Sequence, residues 1–278
     1  MSEALRKLIN LLDLEEIEVN HFRGVSPEES RQRVYGGQVA GQALVAATRT
    51  VAQGRVHSFH SYFLRPGDPK LPILYEVTRL RDGRSFTTRL VVAIQRGQAI
   101  FNMSASFHKD EPGLSYHEPM PQVPAPEGLP TFWTLFEALE PSPRREMPLD
   151  IRICDPVDRP PSTYREPVAY AWLRAAGKLP DDPVVHACVL TYASDMSLLD
   201  TSLRPHGLVW SPDRKIMAAS LDHAMWFHRP FRADEWMLYV QRTPSSAGAR
   251  GFSTGTIFTR DGTLIASVAQ EGLIRPIA

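Results

Sequence analysis

The stretch "SLDHAMWFHRP", residues 220–230, repeats a pattern that the chain has already used in "HSFHSYFLRP", residues 57–66. "SYFLRP" and "MWFHRP" lie 164 residues apart, and the pair "LY" recurs downstream of each with the same offset. Farther on, "RSFTTRLVVAIQRGQAI" (84–100) and "RGFSTGTIFTRDGTLI" (250–265) each predict an alternating strand, a glycine-containing turn and a second strand. The sequence therefore predicts two copies of one unit.

Each copy also carries an apolar helix pattern. Residues 35–51 are small and apolar at helical spacing, and residues 189–203 place an apolar stripe on one helix face. We predict that each unit begins with one of these buried helices. A helix followed by antiparallel strands is typical of a sheet wrapped around the helix, and two such sheets joined edge to edge leave fewer exposed edges. The predicted fold class is therefore α+β, with two tandem units whose sheets are joined.

Proline marks the boundary between the units. Fifteen of the 24 prolines fall between Pro112 and Pro183, whereas the flanking segments alternate as strands do. We predict an N-terminal unit at 1–110, a Pro-rich linker at 111–180 and a C-terminal unit at 181–278.

Composition limits the classes of binding partner and the cellular compartment that the chain suits. Thirty-one basic and 31 acidic side chains leave no net field to attract nucleic acid or an anionic membrane. The N-terminus has no uninterrupted apolar stretch of signal-peptide or membrane-spanning length. Cys154 and Cys188 lack metal-ligand spacing, which favours reduced thiols. We predict a cytoplasmic protein without nucleic-acid or membrane partners.

Histidine spacing argues against a metal site. His223 and His228 are five residues apart, so on one strand they point to opposite faces, as do His57 and His60. We predict no metal ion and read residues 220–230 as one core strand.

Five ordered motifs resemble the acyl-CoA thioesterase II family, which has a double hot-dog fold: "GGQVAGQAL", "HSFHSYFLRPGD", "YASDMS", "SLDHAMWFHRPF" and "VAQEG". The resemblance covers nearly the whole chain. It implies hydrolysis of acyl-CoA to a free fatty acid and CoA, without a cofactor, by a water that an Asp, a Thr or Ser, and a Gln activate. Matched by motif, these roles fall on Asp195, Ser220 and Gln270. The resemblance also implies a homo-oligomer, a dimer or a tetramer.

The chemistry suits these residue types. Water can attack a thioester carbonyl if it is oriented and loses a proton, and Asp195 is the only carboxylate of the three. Ser220 and Gln270 can each donate and accept hydrogen bonds. The repeat aligns them with Val56 and Ala105, and the first predicted helix has no carboxylate. We therefore predict one active site per chain.

Two alternatives remain open. Hot-dog enoyl-CoA hydratases carry an Asp and a His with four residues between them, and "DDPVVH" places Asp181 and His186 in that relation, although the Asn that precedes the Pro in the hydratase pattern is missing. The same segment also suits the start of a helix. A non-catalytic acyl-CoA-binding protein is the second alternative. Arg65 and Arg229 are candidates for binding CoA phosphates or for ordinary structural contacts.

Overall fold

The computed structural model describes residues 2–27, 32–132, 134, 146–154, 165–208 and 216–277. The first half contains α1 (Glu3–Leu12), β1 (Glu15–Glu18), β2 (His21–Gly24), α2 (Gly36–Arg49), β3 (Arg55–Phe63), β4 (Ile73–Asp82), β5 (Phe86–Gln95) and β6 (Gln98–His108). The second half contains β7 (Leu149–Ile153), β8 (Val168–Ala175), α3 (Pro183–Ser194), a 3-10 helix (Leu199–His206), β9 (Ile216–Ser220), β10 (Asp222–Phe227), β11 (Met237–Ala247), β12 (Arg250–Thr259) and β13 (Leu264–Pro276).

One antiparallel sheet carries the repeat. Its strand order is β1-β2-β4-β5-β6-β3-β10-β13-β12-β11-β8-β7, and β9 pairs with β13 beside β10. Counted inward from β1 and inward from β7, corresponding strands of the two halves follow each other in the same order. The two halves meet where β3 and β10 pair antiparallel. The predicted α+β double hot-dog fold, with two sheets joined edge to edge, is confirmed.

The central helices pack against each other inside the sheet. α2 is buried along most of its length. A Cβ on Gly37 would lie 2.4 Å from the Tyr192 carbonyl oxygen, and one on Gly41 would lie 3.3 Å from the Cys188 carbonyl oxygen. These glycines therefore let α2 approach α3 more closely than any larger residue would.

Two arginines make the same contact in both units. Arg65 Nη1 donates to the carbonyl of Ala99 at 2.7 Å, and Arg229 Nη1 donates to the carbonyl of Leu264 at 2.9 Å. Arg229 also donates to Ser115 Oγ. Both guanidinium groups thus have backbone partners, and the contact expresses the repeat in three dimensions.

Strands occupy part of the range predicted as a linker. β7 and β8 lie within residues 111–180, and β8 pairs with β11 at the far side of the sheet. They hold the positions that β1 and β2 hold in the first unit. In each unit two strands therefore precede the central helix, and the prediction that each unit begins with that helix was wrong. The domain boundaries themselves remain predictions.

The first predicted helix is confirmed as α2, but the second differs from the structure. α3 begins at Pro183, six residues before the predicted start, because the Asp182 side chain accepts from the Val184 N–H and proline fits the first helical position. It ends at Ser194, with Asp195 as its C-cap. The apolar stripe continues to residue 203 because the 3-10 helix also packs on the sheet.

Among the described residues, no helix combines the length and the apolar character needed to span a bilayer.

Candidate active site

Three side chains meet at the end of α3. Asp195 Oδ1 accepts from Gln270 Nε2 at 2.5 Å and from Ser220 Oγ at 3.1 Å. Asp195 is 8% exposed and Gln270 is 1% exposed. The structure thus brings the three sequence-predicted residues together, from α3, β9 and β13.

A β-bulge at Leu221 directs the Ser220 hydroxyl toward the helix. β9 and β10 both pair with β13, but in registers that differ by one residue. Ser220 and His223 therefore both point inward, although residues three apart on a regular strand would face opposite sides. The Leu221 N–H donates to the Glu271 carbonyl, and Asp222 Oδ1 accepts from the Glu271 N–H. The prediction of one uninterrupted strand over 220–230 was wrong at this point.

Burial sets the electrostatics of the cluster. Removal from water raises the pKa of Asp195 from 3.8 to about 6, while hydrogen bonds from Gln270, Ser220 and the Gly37 N–H oppose the rise. Burial and the charge of Asp195 raise the pKa of Asp200 to about 7. The carboxylate of Asp195 is thus poised close to neutral pH, the range that suits a general base.

The first unit also contributes to the cluster, through residues that the sequence analysis did not assign to it. The backbone N–H of Gly37, in the first turn of α2, donates to Asp195. A Cβ on Gly36 would lie 2.7 Å from Asp195 Oδ2 and 2.8 Å from a ring carbon of Phe63. The signal was the "GG" at the start of a predicted helix, where backbone N–H groups favour a negative charge.

Replacing Gly36 by Ala is therefore expected to lower kcat by about 10-fold or more, because the added methyl displaces the carboxylate. Alanine favours a helix over glycine by about 1 kcal/mol, so α2 itself should not weaken. Gly41→Ala in the same helix is the control for helix packing, since its Cβ would meet a Leu12 methyl at 2.9 Å and the Cys188 carbonyl oxygen at 3.3 Å, and Asp195 is not among its three nearest contacts. Steady-state kinetics on both folded variants checks this, and equal turnover in the two would contradict it.

The equivalent place in the first unit is built differently. The same register shift occurs after Val56, the counterpart of Ser220, on the strand pair β3 and β6. The C-cap of α2 is Thr50, and the buried side chain of Arg89 donates to its Oγ1 at 2.8 Å and to its carbonyl at 3.0 Å. A hydroxyl and an arginine occupy the place of the carboxylate.

A small cleft is lined by residues of the first unit and by Tyr192 of α3, and none of Asp195, Ser220 and Gln270 lines it. Its volume of about 30 Å³ leaves room for an ordered water molecule. Tyr35 and Tyr192 form one wall, where the Tyr35 hydroxyl donates to the Tyr192 carbonyl at 2.8 Å. Arg33, at another wall, donates to the carbonyl of Ala218 at 2.8 Å and so links the two units.

Comparison with known proteins places the chain. Acyl-coenzyme A thioesterase 8 of Homo sapiens is 42% identical over 282 residues, which cover 95% of this chain and 88% of the relative. The chain belongs to the acyl-CoA thioesterase family. Family models described as acyl-CoA thioesterase and as acyl-CoA thioesterase N-terminal domain match residues 158–273 and 26–108. The resemblance seen in the sequence is confirmed, and with it the class of enzyme, a thioester hydrolase.

Solved structures agree with this thioesterase fold. The acyl-CoA thioesterase II TesB2 of Mycobacterium marinum is 44% identical, with a TM-score of 0.82 over 98% of this chain and 99% of that one. A hot-dog protein of Alicyclobacillus acidocaldarius is 19% identical, with a TM-score of 0.80 over 98% of this chain and 99% of that one, and it supports the fold alone.

In this thioesterase, the pair considered for a hydratase lies at the other end of α3. The helix has 12 residues and is about 18 Å long, with Asp195 at its C-terminal end. His186 is 3% exposed, and its Nδ1 accepts from the Ala233 N–H at 3.0 Å. Asp181 forms an ion pair with Arg232 at 2.7 Å, and its side chain is 94% exposed. Both residues have partners that suit a structural role.

Proposed function

We propose that this thioesterase hydrolyses acyl-CoA to a free fatty acid and CoA through a water activated by Asp195. The observation that carries the proposal is the buried carboxylate that Gln270 and Ser220 hold through Oδ1. A carboxylate with a pKa near 6 is ionised at neutral pH and can still accept a proton.

Gln270 supplies the complementary half of the water site. A carboxylate only accepts hydrogen bonds, so the amide nitrogen of Gln270 faces Asp195. Its Oε1 is buried and has no hydrogen-bond partner among the described residues. We propose that Oε1 accepts from the water, while Ser220 steadies the carboxylate.

The reaction then balances with the residues of this site. The water gives one proton to Asp195, and its oxygen attacks the thioester carbonyl carbon. The tetrahedral intermediate collapses, the carbon–sulfur bond breaks, and the thiolate of CoA takes the proton from Asp195. No cofactor enters any step.

The hydratase alternative predicts a different result at His186. We expect His186→Ala to keep most thiol-releasing activity, because the side chain accepts a structural hydrogen bond about 14 Å along α3 from Asp195. The loss of that bond should lower the melting temperature. Thiol release from saturated acyl-CoAs, measured beside enoyl absorbance, checks this on the folded variant. A folded but inactive His186→Ala protein would move the chemistry to His186 and Asp181.

The same assay separates the proposed hydrolysis from the second alternative, a non-catalytic protein that binds acyl-CoA. Such a protein would release no thiol. The dimer or tetramer implied by the resemblance remains a prediction that sedimentation can test.

A further inference from the structure

Ser194, the residue before Asp195, is held from two sides. Its carbonyl accepts from the Tyr239 hydroxyl at 3.1 Å, and its own hydroxyl lies 2.8 Å from His223 Nε2. Ser194 and His223 are fully buried, and Tyr239 is 1% exposed. Because α3 ends at Asp195, these contacts fix the turn of helix that carries the carboxylate.

The hydrogen bonds of Ser194 determine which ring nitrogen of His223 carries the proton. Ser194 Oγ donates to the Thr191 carbonyl at 3.0 Å, and a hydroxyl has only one proton to give. It must therefore accept from the Nε2–H of His223. Burial lowers the pKa of His223 to about 4, so the ring is neutral at neutral pH.

The histidine is not the side chain that packing alone would favour. His223 Nδ1 is buried and has no hydrogen-bond partner among the described residues, which disfavours the folded state. The offset of 164 places Phe59 at the same position in the first unit, and the two rings lie 6.0 Å apart. An apolar ring thus fits in the unit whose helix ends in Thr50. The polar ring occurs in the unit whose helix ends in Asp195.

We infer that His223 is a positioning residue that holds Asp195 in register with Gln270 and Ser220 by donating a hydrogen bond to Ser194. The inference rests on the proposed role of Asp195 as the base. It assigns His223 no contact with the reacting atoms.

The first test replaces the ring by its counterpart from the other unit. His223→Phe should fold, lower kcat by about 10-fold or more and leave KM unchanged, because a displaced base slows chemistry without altering substrate contacts. Weaker hydrogen bonds from Gln270 and Ser220 should also raise the pKa of Asp195, since these bonds lower it. The acid limb of the kcat–pH profile should therefore move to higher pH. The other titratable groups whose pKa responds to Asp195 are Asp200 and Tyr239, which are unchanged in this variant.

Two amide variants at position 223 distinguish the effect of the lost hydrogen bond from the effect of the changed ring. His223→Gln places an N–H donor where Nε2 stood and should restore much of kcat and the position of the acid limb. His223→Asn places its amide nearer Nδ1 and should not. A Gln variant as slow as the Phe variant would overturn the inference.

Ser194→Ala tests the same bond from the other partner, even if a ring variant fails to fold. It should reproduce the loss in kcat, and the double variant with His223→Phe should lose no more than either single one. Additive losses would overturn the inference.

Tyr75→Phe is the matched control, because it removes a buried hydrogen bond of 2.7 Å to Gln42 Oε1 in the first unit. It should lower the melting temperature and leave kcat and the acid limb unchanged. If folded His223→Phe and Ser194→Ala kept the wild-type kcat and pH profile, the inference about His223 would be overturned and the proposed function would stand. Retained turnover in folded Asp195→Asn would instead overturn the proposed function.

Discussion

Replacing Asp195 by Asn is expected to lower kcat by about 10²–10⁴-fold, because the water loses its positioned base. Asparagine keeps the size of the side chain and can still accept from Gln270 and Ser220, so the protein should fold. The measurement is thiol release per folded chain, with circular dichroism as the check on folding. A folded variant with more than about half of wild-type turnover would remove Asp195 from the role of general base.

The pH dependence of the wild type follows from the same carboxyl. The base works when it is ionised, so kcat should fall as the pH falls through about 6, the pKa to which burial raises Asp195. Asp200, whose pKa is raised to about 7, titrates in the same range and is coupled to it. The acid limb should therefore lie between about pH 6 and 7, and it should be absent from the residual activity of Asp195→Asn.

The free energy of unfolding should change with pH in the direction opposite to kcat. The folded chain holds the Asp195 proton up to about pH 6, whereas an unperturbed Asp releases it near 3.8. Ionised Asp195 thus disfavours the folded state above about pH 6, by on the order of 3 kcal/mol, and this cost vanishes below about pH 4. Asp195→Asn should match or exceed the wild-type melting temperature at pH 8, and the difference should shrink as the pH falls.

The second large effect is expected at Ser220. Ser220→Ala should lower kcat by about 10²-fold, because the carboxylate proposed as the base loses a partly buried hydrogen bond. Ser220→Thr should stay active, since the hydroxyl survives and a β-branched residue suits a strand. The resemblance implies a Thr or Ser at this position. Thiol release by both folded variants decides the matter, and an undiminished Ser220→Ala would exclude Ser220 from the mechanism.

Val56, the counterpart of Ser220, gives the control for that experiment. Val56→Ala removes apolar volume next to the core and should destabilise the protein by about 1–3 kcal/mol. The folded variant should nevertheless keep its turnover. Equal losses of kcat at Val56 and Ser220 would contradict a single site in the second unit.

The sequence predicted the repeat and α2 from the spacing of its residues. It predicted the cluster of Asp195, Ser220 and Gln270 from the ordered motifs. It was insufficient for β7 and β8, since these short strands lie among prolines that suggested a linker. The bulge at Leu221 was also hidden, because a one-residue shift depends on the pairing partner rather than on local alternation. The "GG" at the start of α2 was a local signal for a negative charge, but the identity of that charge as Asp195 depends on the packing of α2 against α3, which no local pattern contains.

The pairing of β3 with β10 also bears on how the chain acquires activity during folding. Residues that pair across this junction are separated by about 160 positions in sequence, so their contact is among the slowest kind to form. We expect each unit to collapse around its own helix before that contact forms. The carboxylate meets the Gly37 N–H of the other unit only once the units have docked, so catalysis should appear last, after most secondary structure has formed.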